Sequence, residues 1–335
     1  MNILLTGGAG YIGSHTAVAL AQAGHQVVLF DNFCNSRHEV AQRLQTIIGH
    51  PLVVIEADIR QTDLLEKALR DHAIDAVVHF AGLKAVGESV TEPIGYYANN
   101  VQGTISLLQA MHNTHVKTLV FSSSATVYGV PHYLPLDESH PTSATNPYGR
   151  TKLHIEEMLG DVAQSDPTWR IACLRYFNPV GAHDSGLIGE EPNGPPNNLM
   201  PYLARVASGQ LPQLNIFGND YDTPDGTGVR DYIHVMDLAA GHLAALDFLT
   251  THPHGRYVFN LGTGQGYSVM EMLRAFETVV GKPLPFHIAP RRAGDVASCY
   301  ANPGFAASQL NWRAKLDLKA MCESTWQFQQ RAARG

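Results

Sequence analysis

Tyr148 and Lys152 stand four residues apart in the stretch Tyr-Gly-Arg-Thr-Lys. On a helix that spacing puts phenol and ammonium on one face, a turn apart. Pro147 suits the first turn of such a helix. A free phenol ionises near ~10, so a base at neutral pH needs its pKa lowered by about 3 units, or roughly 4 kcal/mol. One cation at ~4 Å in an effective dielectric of ~20 supplies about that much. By itself the pair is as ordinary as an exposed Tyr and Lys on a surface helix. Ser122-Ser123-Ser124 gives it a setting. The serines follow the apolar run Leu119-Val120-Phe121, at the carboxyl end of a strand, and open α/β sheets bind ligands at that edge.

The second chemical signal opens the chain. Gly7-Gly8-Ala9-Gly10-Tyr11-Ile12-Gly13 follows the short run Ile3-Leu4-Leu5 and precedes a helical pattern. Glycines there allow positive φ and close approach of a pyrophosphate. The helix start offers free N–H groups and a positive dipole end. A tight turn would use the same residues, but Asp31 closes the second apolar run, 24 residues after Gly7. About 20 is the expected spacing for the acid that holds a ribose 2′-hydroxyl. Its charge repels a 2′-phosphate and so favours NAD over NADP, with Arg37 nearby as the one opposing charge.

These groups need a scaffold that brings strand ends together. Ile3–Leu5, Val27–Phe30, Val53–Ile55, Ala76–Phe80, Leu119–Phe121 and Ile171–Leu174 are short and almost wholly apolar, as strands covered on both faces by helices are. Helical patterns separate them, as in Ser14–Ala23 before Gly24. The alternation predicts an α/β fold with a doubly wound parallel sheet. From Asn178 to Asn198 the chain is rich in Gly, Pro and Asn and reads as ordered loop. Beyond it, strands (Leu214–Phe217, Tyr257–Asn260) mix with helices (Val235–Leu249, Val269–Val279). The division expected is residues 1–177 for a cofactor domain and 178–335 for a smaller substrate lobe, with a segment near 229–262 returning to the first.

Composition narrows the function. The net charge of −7 argues against a nucleic-acid partner, which needs surplus Lys and Arg. The four cysteines form no C-x-x-C pair, which fits a reduced chain without a zinc site or disulfide framework. No H-E-x-x-H or G-x-S-x-G occurs. His112 and His115 read as a solvated helix face, Trp312 and Trp326 as packing residues, and no metal is expected. With no signal-like start and no apolar run near the ~18 residues of a membrane span, a cytoplasmic protein is the expectation.

The residues quoted above, with Thr6–His15, Asp31–Ser36, His79–Ser89, Ser122–Gly129, Arg175–Ala182, Pro196–Pro201 and Gly226–His234, resemble the extended short-chain dehydrogenase/reductase family. Within it they are most similar to nucleotide-sugar 4-epimerases, over nearly the whole chain to about Trp312. The resemblance implies a Rossmann-type domain with a smaller α/β substrate lobe. It implies tightly held NAD and interconversion of UDP-galactose and UDP-glucose by hydride removal and return at carbon 4. It makes Tyr148 the acid/base, has Lys152 lower its pKa and hold the nicotinamide ribose, and lets Ser124 bond the reacting hydroxyl. The cofactor contacts it implies are Gly7, Gly10, Tyr11, Ile12, Gly13, Asp31, Asn32, Phe33, Cys34, Asn35, Ser36, Asp58, Ile59, Phe80, Ala81, Gly82, Lys84, Asn99, Ser122, Ser124, Tyr148, Lys152, Tyr176 and Phe177. Beside Ser124 and Tyr148, its substrate contacts are Asn178, Asn198, Leu199, Asn215, Ile216, Phe217, Arg230, Arg292, Asp295 and Cys299. The two arginines suit a diphosphate, since a guanidinium fork can bond two oxygens.

Relatives that dehydrate nucleotide sugars carry an Asp-Glu pair where this chain has Ala125 and Thr126, so elimination is not expected. A decarboxylase or net oxidoreductase of the same fold remains, and net NADH release would identify it. A non-enzymatic NAD-binding regulator is the other alternative, although a sensor would have no use for Ser124, Tyr148 and Lys152 together. The resemblance also implies a homodimer built on helices near Tyr96–His112 and Tyr148–Val162, with Val101, Ile105, Leu108, Ile155 and Leu159 as candidate packing residues. Lastly, it sets Cys299, not Tyr300, beside carbon 2 of the hexose. A small residue there leaves room for an N-acetyl group and extends the expected substrates to UDP-N-acetylglucosamine.

Overall fold

The apolar runs become strands because each is too short for a stable helix and is covered on both sides. The computed structural model describes residues 1–192, 194, 196–292 and 294–332. In chain order the strands are β1 (Asn2–Thr6), β2 (Gln26–Asp31), β3 (Val53–Glu56), β4 (Ala76–His79), β5 (Thr118–Ser124), β6 (Arg170–Tyr176), β7 (Asn178–Val180), β8 (Leu214–Phe217), β9 (Val229–His234), β10 (Gly255–Leu261), β11 (Gly266–Ser268), β12 (Phe286–Ala289) and β13 (Ser298–Cys299). The helices are α1 (Tyr11–Gln22), α2 (Glu39–Ile48), α3 (Thr62–Asp71), α4 (Val86–Thr91), α5 (Pro93–Tyr96), α6 (Gln102–Asn113), α7 (Pro147–Ser165), α8 (Leu199–Ala207), α9 (Val235–Thr251), α10 (Val269–Val280), α11 (Gly304–Gln309) and α12 (Leu318–Ala332).

Seven parallel strands form one sheet in the order β10-β6-β5-β4-β1-β2-β3. Alternate residues of β1 serve two cores. Ile3 and Leu5 pack with α1, α2 and α9 on one face. Leu4 packs with α3, α6 and α7 on the other. This two-sided burial is why the strands are apolar throughout. The order reverses between β1 and β4, and the crevice at such a switch point receives ligands in open α/β sheets. The edge strand β10 lies parallel to β6, from Gly255 opposite Arg170 to Leu261 opposite Tyr176. A third core joins α8, α10 and α12 through Met200, Leu203, Met272, Phe276 and Met321. Beside it β8 pairs with β12, and β9 pairs with β7, β11 and β13.

One expectation is corrected and another narrowed. The helix read from Tyr96 to His112 is interrupted by a π-helical turn at Tyr97–Val101, a feature common at functional sites. The turn coincides with Asn100, whose buried amide bonds groups outside the helix. Of the proposed dimer-packing residues, Leu108, Ile155 and Leu159 are buried in the chain's own sheet-facing core, and Val101 packs against it. Val101 and Ile105 keep partly exposed surface, so the three buried residues face their own sheet while the outward positions of the two helices stay open. Among the described residues no helix is long and apolar enough to cross a membrane, and no cluster of His, Cys, Asp or Glu could hold a metal ion.

Candidate active site

The turn from β1 into α1 closes on itself. Gly7 has φ +68°, and a Cβ there would stand 2.6 Å from the Ala81 nitrogen after β4. A Cβ at Gly13 would collide with the Gly7 carbonyl. Backbone thus fills the switch point, and the first-turn N–H groups of α1 have no intrahelical partners. Asp31 braces this cradle: its carboxylate accepts from Ala9 N at 2.9 Å, Phe33 N at 2.9 Å and Ser36 Oγ at 3.2 Å. Burial raises its pKa and these bonds oppose the rise. Arg37 is neutralised by Glu191 at 3.0 Å, which leaves Asp31 to set the charge on this side.

Several of the other expected cofactor residues are held by hydrogen bonds to neighbouring segments. Asn32 donates to Asp58 at 3.1 Å, and Arg60 forks onto Asp58 at 2.8 Å through both Nε and Nη2. Asn32 Oδ1 also accepts from the Cys34 nitrogen at 3.2 Å. Cys34 is exposed, in the loop that runs through Asn35 and Ser36. Tyr11 donates to the Gly181 carbonyl at 2.7 Å, and Lys84 reaches Glu190 at 3.1 Å. Four side chains point elsewhere. Ile59 is buried in the core against Gly103, and Phe80 lies 4.9 Å from the His242 ring. The buried Tyr176 donates to His242 Nε2, because His242 Nδ1 must donate to the Leu238 carbonyl. Phe177 is buried beside Val127 and Tyr128.

Ser124, Tyr148 and Lys152 are brought together. Asn146 caps α7 by accepting from Gly149 N at 2.9 Å, and Pro147 begins the helix. Tyr148 is half-buried on the first turn, near the Ser124 hydroxyl. Thr126 donates to Ser124 Oγ through its nitrogen at 3.2 Å and its hydroxyl at 2.9 Å. Lys152, 5% exposed, donates to the Ser122 carbonyl at 2.6 Å and lies 4.9 Å over the Phe121 ring. Burial lowers its pKa to about 8, against a raising effect of Glu156. The electrostatics differ from the expectation drawn from spacing. Burial raises the Tyr148 phenol, the nearby Ser124 hydroxyl opposes the rise, and Lys152 is committed to a carbonyl.

The predicted substrate residues gather from distant segments. Arg292 stacks over Phe217 at 3.7 Å, and Arg230 approaches Asp295 at 3.8 Å. Asn215 and Ile216 share β8 with Phe217. Asn178 opens β7 opposite Tyr232. Asn198 precedes Leu199 at the start of α8 and donates to Glu190 at 2.6 Å. Cys299 pairs with Arg230 across β13 and β9.

Sequence reading passed over Asn100 and Glu156. Asn100 Oδ1 accepts from Leu83 N at 2.8 Å, and its amide donates to the Leu83 carbonyl and Thr151, both at 3.0 Å. It ties the loop after β4 to the catalytic helix. The only signal for it was its place beside Asn99. Glu156, four residues past Lys152, was visible as the next position on the same helix face.

The model of the NAD dependent epimerase/dehydratase family matches residues 3–262. A UDP-glucose 4-epimerase of Bacillus subtilis is 55% identical over 98% of this chain and 97% of its own. The structure of a UDP-glucose 4-epimerase from Stenotrophomonas maltophila, with bound NAD and formylated UDP-arabinopyranose, is 52% identical with a TM-score of 0.98, covering 100% of this chain and 99% of that one. The enzyme of Bifidobacterium longum, in complex with NAD+ and UDP, is 50% identical with a TM-score of 0.96 over 100% of both chains.

Proposed function

The chain belongs to the NAD-dependent epimerase/dehydratase family, and we propose that it is an isomerase that inverts carbon 4 of UDP-hexoses, interconverting UDP-glucose and UDP-galactose with retained NAD. The observation that carries this reading is the grouping of Ser124, Tyr148 and the buried Lys152 at the sheet edge, with Ala125 and Thr126 where a dehydrating acid pair would stand. The glycine cradle and Asp31 suit a dinucleotide whose ribose bears no 2′-phosphate.

Bound NAD supplies a reversible electron acceptor and, in its oxidised state alone, a positive charge at the nicotinamide ring. The protein by itself keeps Tyr148 protonated, because burial raises its phenol. Ionisation therefore depends on that charge, with Lys152 holding the ribose. Tyr148 takes the proton of the carbon-4 hydroxyl while the charge is present and returns it when the charge is gone. Ser124 orients the hydroxyl throughout. Arg230 and Arg292 hold the diphosphate, and Asn178, Asn198, Leu199, Asn215, Ile216, Phe217 and Asp295 hold the nucleotide. The hexose is left free to turn its other face.

In this reading, residues 1–177 with a returning segment near 229–262 hold the cofactor, and 178–335 hold the UDP-sugar. Cys299 borders carbon 2. The chain works as a homodimer in the cytoplasm, through outward faces of α6 and α7 beside the exposed Val90 and Ile94. A monomeric mass at micromolar concentration would contradict the dimer. The activity is tested by mixing the protein with UDP-galactose. UDP-glucose forms without accumulation of NADH, whereas net NADH would identify an oxidoreductase.

A further inference from the structure

We propose that Ser123 and Glu156 are positioning residues that lock the serine edge of β5 to the Tyr148–Lys152 face of α7, with Arg175 clamping Glu156. The inference rests on the reading of Ser124, Tyr148 and Lys152 given above. Tyr148, Lys152 and Glu156 recur at intervals of four residues along one helix. Glu156 is 1% exposed and Arg175 5%. Arg175 forks onto both carboxylate oxygens, Nε to Oε1 at 3.0 Å and Nη2 to Oε2 at 2.6 Å. The Ser123 hydroxyl donates to the same Oε1. Ser123 and Arg175 are themselves register partners on β5 and β6, so one carboxylate bridges two neighbouring strands and the helix above them. Arg175 is held in turn over the Tyr128 ring at 4.7 Å, and Arg256 lies 4.0 Å from the carboxylate.

A buried ion pair is weak evidence for stability, since desolvation offsets most of its attraction. Its geometry is more informative. Three consecutive serines divide the contacts with α7 between backbone and side chain. The Ser122 carbonyl takes Lys152, the Ser123 hydroxyl takes Glu156, and the Ser124 hydroxyl meets Tyr148 and Thr126. With the first two fixed to α7, Ser124 cannot slide past Tyr148. Glu156 also supports the Lys152 charge. The titratable groups around Lys152 are Tyr148 and Glu156 on its own helix and His79 from β4, with Tyr176 on β6 turned to His242. His79 is held neutral by burial. Glu156 is then the one acid facing the ammonium in this group.

The test compares Ser123→Ala, Glu156→Gln and Tyr148→Phe in the NAD-loaded protein. Ser123→Ala removes one hydroxyl and keeps every charge. It lowers kcat for UDP-galactose about tenfold through misalignment and leaves KM nearly unchanged. Glu156→Gln moves the alkaline limb of the kcat profile to lower pH by about one unit, because Lys152 then loses its proton more readily. An unchanged kcat in Ser123→Ala, or an unmoved limb in folded Glu156→Gln, overturns the proposal. If Glu156→Gln does not fold, Ser123→Ala decides alone. Tyr148→Phe separates the two levels, with an expected loss of about 10²–10⁴-fold. If that loss occurs while the other variants behave as wild type, the positioning role falls and the reacting set stands. Near-normal turnover in Tyr148→Phe removes the reacting set and this inference with it.

Discussion

Cys299 and Tyr300 are adjacent, yet they face opposite sides of an extended segment. Cys299 packs against the cluster of Val127, Tyr128, Leu136 and Phe177, which adjoins Ser124. The Tyr300 ring lies on the other side, where a Cβ at Gly266 would meet it at 3.3 Å. That orientation supports the register in which a small residue borders the hexose. Burial pushes the Cys299 thiol up to about 11, so it acts as a small apolar filler rather than a nucleophile. Wild type is therefore expected to epimerise UDP-N-acetylglucosamine as well as UDP-galactose. Cys299→Tyr fills the N-acetyl volume and should lower turnover of the N-acetyl sugar by about 10-fold or more, with UDP-galactose spared. Brisk conversion of UDP-galactose by wild type with none of the N-acetyl sugar would rule out the open gate. The spacing of Tyr148 and Lys152 pointed to one helix face only once the serines after Phe121 were read with it. The sign of the phenol's shift was not legible, because it depends on burial and on the Ser122 carbonyl that claims Lys152.

Helix α7 shows how an element delivers those residues. Asn146 accepts from Gly149 N, and Pro147 fixes the backbone at the first position. The turn they define carries Tyr148. Asn146→Ala removes the cap and should cost about 1 kcal/mol of stability, read as a lower urea midpoint. Asn146→Asp should restore most of it, and an unchanged midpoint in the alanine variant would show that packing alone holds the turn. Elements of this kind were legible because their signals are local. Short apolar runs between turns, repeated in alternation with helical patterns, are best met by buried parallel strands because each is too short for a helix. The π turn at Tyr97–Val101 was not legible, since Asn99 and Asn100 look like surface positions until the Leu83 backbone is present to receive one of them. The candidate dimer-packing residues could not be divided for a related reason: Ile155 and Leu159 are apolar, and sequence alone does not say whether the sheet or a partner covers them. Phe217 with Arg292, and Arg230 with Asp295, are separated by more than sixty residues. Resemblance pointed to them, and no local pattern could.

Across the whole molecule, the fold seals several histidines in a neutral state. His15 and His242 are 0% exposed, His79 1% and His234 3%. Burial lowers His15 and His79 to about 3, and His234 and His242 to about 4. An unfolded chain would protonate each near ~6.5. Between that value and the folded ones, the unfolded state binds more protons, so stability falls as pH falls. The contribution is complete above ~6.5. At pH ~5 each of these histidines forfeits about 2 kcal/mol, or roughly 8 together. That is comparable to the ~5–15 kcal/mol that holds a typical domain folded. Asp31, Glu138, Asp231 and Asp237 oppose the trend, because burial raises them and the folded chain takes up their protons first. Each also accepts backbone bonds that favour the charged form, which limits the offset. The expected outcome is a stability plateau near neutrality and cooperative unfolding with a midpoint around pH 5, followed by circular dichroism at constant ionic strength. A melting temperature that stays level from pH 7 down to pH 5 would mean that these rings are reached by water or proton donors before the fold opens.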